Sequence, residues 1–352
     1  MTTSTEVTAW NDYQTYYSEL FCDFDQQSYM KIFIVLIYCL VFIVGTFGNL
    51  LVIIIMRLKK RSKRLVDVFI THLAVADLAF LITLPLWAVS TALDQYWHFG
   101  EFLCKLSSFI VTVNMYSSIF FLTCLSIDRF IAIVLSLDYG HLRTRRHATV
   151  GSLVIWALSL TLGVPTLLYK KLVQDEGRWT CSGTITPFSN SFTLAIRFIA
   201  FVLPLCIITV CYCSVAVKLH KHFGRMRKEE RNNWKSVRIG FWIITMFVLA
   251  WLPYNVFKTV DALVWSSTLQ LSCHMQEVVR RGTMVLTCLA FFNSCVNPII
   301  YLIYDRYFRE SFFQLLPFLG FRRPEGSSST PPAQWSRSQR HNSSLSVIKV
   351  SS

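Results

Sequence analysis

The stretch at 32–56 reads IFIVLIYCLVFIVGTFGNLLVIIIM and contains no charged residue. A helix crosses a bilayer with about 20 mostly apolar residues, so this run spans one with length to spare. A soluble helix would show a polar stripe every third or fourth position. Six further runs of similar character lie at 66–90, 104–135, 148–169, 192–217, 239–264 and 282–304. The whole chain is 53% hydrophobic and only 15% charged, too apolar for a soluble domain of 352 residues. The expected fold is an all-α membrane protein, a bundle of seven transmembrane helices over 32–304. After the last run, Phe308, Phe312, Leu315 and Leu316 fall at i, i+4, i+7 and i+8. That spacing predicts a short amphipathic helix over 305–317, lying on the membrane surface. Residues 318–352 are rich in Ser, Pro and Arg and are expected to be disordered.

Basic residues fix the orientation. They crowd the segments after the first, third and fifth runs and the C-terminal tail, which hold most of the 34 Lys and Arg. The segment 1–31 instead carries Glu6, Asp12, Glu19, Asp23 and Asp25 and is expected outside. The net charge of +14 reports this asymmetry. It does not imply nucleic-acid binding, because the cations are spread over separate loops on one membrane face. Four of the 11 cysteines fall outside the membrane: Cys22, Cys104, Cys181 and Cys273. They sit in an oxidising compartment and should pair, but four cysteines allow three pairings.

Polar side chains at bilayer depth are costly and mark function. The clearest set is Asn49, Asp77, Asn114, Ser118, Asn293, Ser294 and Asn297. Asn114 and Ser118 share one helix face, as do Asn293 and Asn297. Together they would surround one carboxylate with oxygens suited to a small hard cation such as sodium, an allosteric ion rather than a cofactor. The competing reading is a structural hydrogen-bond network around a protonated Asp77. Five prolines, Pro85, Pro165, Pro204, Pro253 and Pro298, fall inside the runs, where each removes a backbone hydrogen bond. No nucleophile–base pair, zinc spacing or phosphate loop is present, so no catalysis is expected.

Several motifs then carry a resemblance. Asp128-Arg129-Phe130 resembles the Asp-Arg-Tyr signature of rhodopsin-like, class A G-protein-coupled receptors. Ala250-Trp251-Leu252-Pro253 resembles their Cys-Trp-x-Pro, and Asn297-Pro298-Ile299-Ile300-Tyr301 matches Asn-Pro-x-x-Tyr. Asn49, Leu73-Ala74-Val75-Ala76-Asp77, Trp156 and Pro204 match the landmarks of the other helices. Thr83-Leu84-Pro85-Leu86-Trp87 and Trp97-His98-Phe99-Gly100 resemble the chemokine-receptor-like peptide branch. Val113-Asn114-Met115-Tyr116 is similar to apelin and angiotensin receptors. The sequence departs from the branch at Phe130, Ala250, Thr287 and Asn293.

This resemblance implies a receptor for a secreted peptide or chemokine-like chemoattractant, acting at the plasma membrane through a heterotrimeric G protein, with the inhibitory class expected. A non-signalling scavenger and a receptor for a lipid or small molecule are the alternatives. It pairs Cys104 with Cys181 and Cys22 with Cys273. It assigns activation and coupling to Asp128, Arg129, Tyr212, Phe247, Trp251, Asn297, Pro298 and Tyr301. The ligand is expected at Trp87, Tyr116, Arg197, Tyr254, Lys258, Arg280 and Thr287. Arg197, in an otherwise apolar run, should face the bundle or the outer surface. With Lys258 it suits a ligand carboxylate. Tyr13, Tyr16 and Tyr17, beside acidic residues, resemble tyrosine-sulfation sites. Ser327, Ser328, Ser329, Thr330, Ser343 and Ser344 are expected targets of receptor kinases, whose phosphates arrestin would read. Membrane lipid completes the expected partners.

Overall fold

A computed structural model describes residues 28–59, 65–135, 144–175, 177–183, 187–222, 228–265 and 269–315. The chain divides into two units, Met1–Phe312 and Phe313–Ser352, and of the second only 313–315 is described. Cys22, the three tail tyrosines and the six Ser and Thr named above lie outside the described residues.

Seven long helices follow one another: α1 (Ser28–Leu58), α2 (Leu65–Ala92), α3 (Gly100–Phe130), α4 (Arg145–Tyr169), α5 (Pro187–His222), α6 (Lys228–Trp265) and α7 (Cys273–Tyr304). Each is long and apolar enough to cross a membrane. Their surface is inverted relative to a soluble bundle. Helix α1 exposes Ile32, Leu36, Ile43 and Phe47 and buries Ile34, Val41, Val52 and Asn49. Apolar side chains face the lipid, so polar groups must find partners inside.

The helices run past the apolar stretches that announced them. Helix α7 starts at Cys273, nine residues before 282, so Arg280 and Arg281 lie well inside it rather than at its start. The reason is local: Arg281 pairs with Glu277 one turn back, and a charged outer turn remains helical above the lipid. Helix α4 begins where the Thr144 side chain accepts from the backbone N–H of His147 at 3.3 Å, an N-cap. A short final helix, α8 (Arg306–Leu315), begins similarly. Asp305 accepts from the Phe308 N–H at 3.2 Å, and Phe308 is buried.

A β-hairpin between α4 and α5, with no alternating pattern in the sequence, covers the outer face. Strands β1 (Lys170–Asp175) and β2 (Arg178–Gly183) pair antiparallel, with Leu172 opposite Cys181. Gly177 in the turn has φ +78°, a conformation open to glycine at little cost. A disulfide joins Cys181 to the fully buried Cys104 of α3, with Cα atoms 5.6 Å apart. The Trp97 N–H donates to the Trp179 carbonyl at 2.7 Å and ties the loop before α3 to the same hairpin. Cys273 is also disulfide-bonded; its expected partner is outside the described residues.

Candidate functional site

Beneath the hairpin lies a cavity of roughly 510 Å³. Of the expected ligand residues, Trp87, Arg197, Tyr254, Lys258 and Thr287 line it. Tyr116 lines a smaller hollow that shares Arg197 and Tyr254 and reaches Trp251. Arg280 lines neither of these two hollows and lies seven residues inside α7. Arg197 does face the bundle.

The cavity has two chemically different sides. Tyr38, Trp87 and Phe291 make one side aromatic. Lys170, Arg197 and Lys258, from β1, α5 and α6, make the other cationic, and no Asp or Glu lines it among the described residues. Asp261 approaches Lys258 only at 3.4 Å. Lys170 was missed from the sequence, where it reads as the first residue of a loop. Burial, reinforced by the neighbouring Lys258 and Arg197, pushes its amine down to about 8. Such a wall is unfavourable empty and favours an anion. The Trp87 indole N–H is buried with no partner among the described residues and offers a further donor. The Thr287 hydroxyl is already bonded to the Thr283 carbonyl at 2.7 Å.

Deeper, Asp77 is fully buried and accepts three hydrogen bonds. Asn114 donates at 3.0 Å, Ser294 at 2.8 Å and Asn297 at 3.1 Å. Asn49 joins them by donating to the Ser294 carbonyl at 2.8 Å. Helices α1, α2, α3 and α7 thus meet on one carboxylate. Two expected members do not bond it. Asn293 is buried but makes no hydrogen bond to Asp77, and Ser118 Oγ is buried with no partner among the described residues. The adjacent Ser294 takes the place expected of Asn293, because neighbours on a helix point about 100° apart. The donor set still fits a sodium ion: the Asp77 carboxylate, the Ser294 hydroxyl, and the Ser118 hydroxyl, which has no partner among the described residues. One carboxylate suits a monovalent hard cation better than zinc.

Of the expected activation residues, Trp251 and Phe247 touch each other on α6, and Phe247 packs on Phe201 of α5, with ring centroids 6.1 and 6.3 Å apart. Further inward, Arg129 donates to Asp128 at 2.5 Å, both being buried. The hydroxyls of Tyr212 and Tyr301 are buried without a partner among the described residues. Buried polar groups left unpaired in one arrangement are poised to gain partners in another.

Comparison with known proteins gives the family. Residues 48–301 match the model of the family "7 transmembrane receptor (rhodopsin family)". Apelin receptor A of Danio rerio is 38% identical, covering 96% of this chain and 97% of its own. The apelin receptor of Xenopus tropicalis is 36% identical over 88% of both chains. Type-1 angiotensin II receptor A of Xenopus laevis is 34% identical over 83% of this chain and 81% of its own.

Proposed function

The chain belongs to the rhodopsin family of seven-transmembrane receptors, and from that premise we propose that it is a plasma-membrane receptor for a secreted peptide whose free C-terminal carboxylate enters the cavity. It is a receptor and not an enzyme, multi-pass, with its N-terminus outside. The observation that carries the peptide reading is the wall of Lys170, Arg197 and Lys258 facing an aromatic side. A guanidinium holds a carboxylate with two hydrogen bonds, and the aromatic side accepts the last side chain. The apelin and angiotensin II receptors among the relatives agree with a peptide ligand. An acidic N-terminal tail would steer a basic peptide toward the mouth.

Binding works by differential affinity: a ligand that prefers the open bundle shifts the population toward it. Release of Arg129 from Asp128 then opens the inner end to a heterotrimeric G protein, of the inhibitory class. Receptor kinases acting on the tail, and arrestin after them, complete the cycle. Sodium at Asp77, with Ser118 and Ser294, favours the closed bundle. Suppression of cAMP in cells tests the coupling, with Arg129→Ala as control. The account expects suppression by the wild type and none by the variant. Equal responses from both would remove Arg129 from the mechanism.

A further inference from the structure

Arg238 and Trp242 stand one turn apart on α6, so they share a face. Both meet the same ring, that of Tyr304, the last residue of α7. The Arg238 guanidinium lies over the ring, 4.8 Å from its centroid. The Trp242 ring stacks on it with centroids 6.4 Å apart and planes 6° from parallel. Trp242 also ends an aromatic row: Phe241 lies 6.1 Å from it and 6.4 Å from Tyr212 of α5. Helix α6 packs along α7 and meets α3 and α5 at far fewer points. Arg129 of α3, meanwhile, is bonded to Asp128 of its own helix.

These contacts sit where an opening bundle must break. If the inner end of α6 swings outward, Arg238 and Trp242 must slide off Tyr304. The guanidinium is attracted by the face of the ring and is weakly hydrated, so it gains from the contact even at an exposed site. Tyr304 is followed directly by Asp305, the cap of α8, so the ring is fixed at the corner between two helices.

We propose that Arg238, Trp242 and Tyr304 form a cation–aromatic latch that holds the inner end of α6 against α7 in the closed state and sets the receptor's activity without agonist. The latch needs only the two states of the receptor and is independent of which ligand fills the cavity. Arg238 and Trp242 are positioning residues, acting through the placement of α6.

The test uses the full-length receptor with no ligand. Agonist-free G-protein activation is measured per receptor at the surface. The distance between the inner ends of α4 and α6 is followed with fluorophores incorporated as non-canonical amino acids. Tyr304→Leu removes the ring and keeps Arg238 free to meet a G protein. It is expected to raise the open fraction and the agonist-free signal by about two- to fivefold. Tyr304→Phe, which keeps the ring, should stay closer to wild type. Arg238→Ala should add little once Tyr304→Leu is present. An unchanged helix distance and signal in Tyr304→Leu overturns the latch. So does a Tyr304→Phe receptor as open as Tyr304→Leu, or full additivity of Arg238→Ala with Tyr304→Leu. Loss of peptide response with an intact latch would instead count against the carboxylate cavity alone.

Discussion

Gly240 of α6 lies so close to Tyr212 of α5 that a Cβ on the glycine would sit 2.3 Å from the tyrosine hydroxyl. No carbon and oxygen approach that closely without repulsion, so any side chain at 240 displaces the Tyr212 ring. The displaced atom is the tip of a side chain whose hydroxyl has no partner to lose among the described residues. Gly240→Ala is therefore expected to fold and reach the surface. It should raise agonist-free signalling several-fold, because the closed position of Tyr212 is the one blocked. Signalling at the wild-type level would mean that Tyr212 finds another place in the closed bundle.

The network at Asp77 separates residues that bond the carboxylate from Ser118, whose hydroxyl has no partner among the described residues. In Asp77→Asn, agonist affinity should no longer fall as sodium rises. Ser118→Ala breaks no hydrogen bond, so it should leave stability nearly unchanged and weaken only the sodium effect. Ser294→Ala removes a bond to a buried carboxylate and should lower thermal stability, by about 1–3 kcal/mol. Sodium titration of agonist binding, with melting curves of the purified variants, checks all three. If the wild type itself shows no sodium dependence, the network is structural.

Much of this was legible in the sequence, and the remainder has a shared physical cause. Seven helices and their motifs depend on apolar length and local residue order, both of which are linear properties. The choice between Asn293 and Ser294 is not linear, since it depends on how α7 is rotated next to Pro298. Lys170 was invisible because β1 lacks an alternating pattern, and only pairing with β2 holds it over the bundle. Arg197 could be read because a lone cation in an apolar run has few places to go.

The hairpin depends on its disulfide. Cys104→Ala or Cys181→Ala should lose roughly 2–5 kcal/mol of stability. Because the bond also positions β1, and with it Lys170, surface receptor that remains should bind ligand poorly. Radioligand binding corrected for surface receptor separates the two effects. Unchanged binding per receptor would show that the bridge does not organise the cavity.

Lys170 predicts a pH dependence with a definite sign. Burial, with Lys258 and Arg197 beside it, pushes its amine down to about 8. A bound carboxylate favours the charged form, so binding takes up a proton. Affinity should be full below pH 8 and fall as pH rises through that value. Lys170→Arg should flatten the curve, since arginine stays charged. Binding measured between about pH 6.5 and 9 decides this; a curve equally steep in Lys170→Arg would place the proton elsewhere.

The central claim is that a peptide's free C-terminus meets the cationic wall. The most direct measurement assays a panel of secreted-peptide C-terminal fragments. Each is made in two forms, free acid and C-terminal amide, and applied to the wild type and to Arg197→Ala. The account predicts that the active acid outperforms its amide on the wild type by about ten- to a hundredfold. It also predicts that this advantage shrinks in Arg197→Ala while the amide is little changed. Equal potency of acid and amide on the wild type would contradict it.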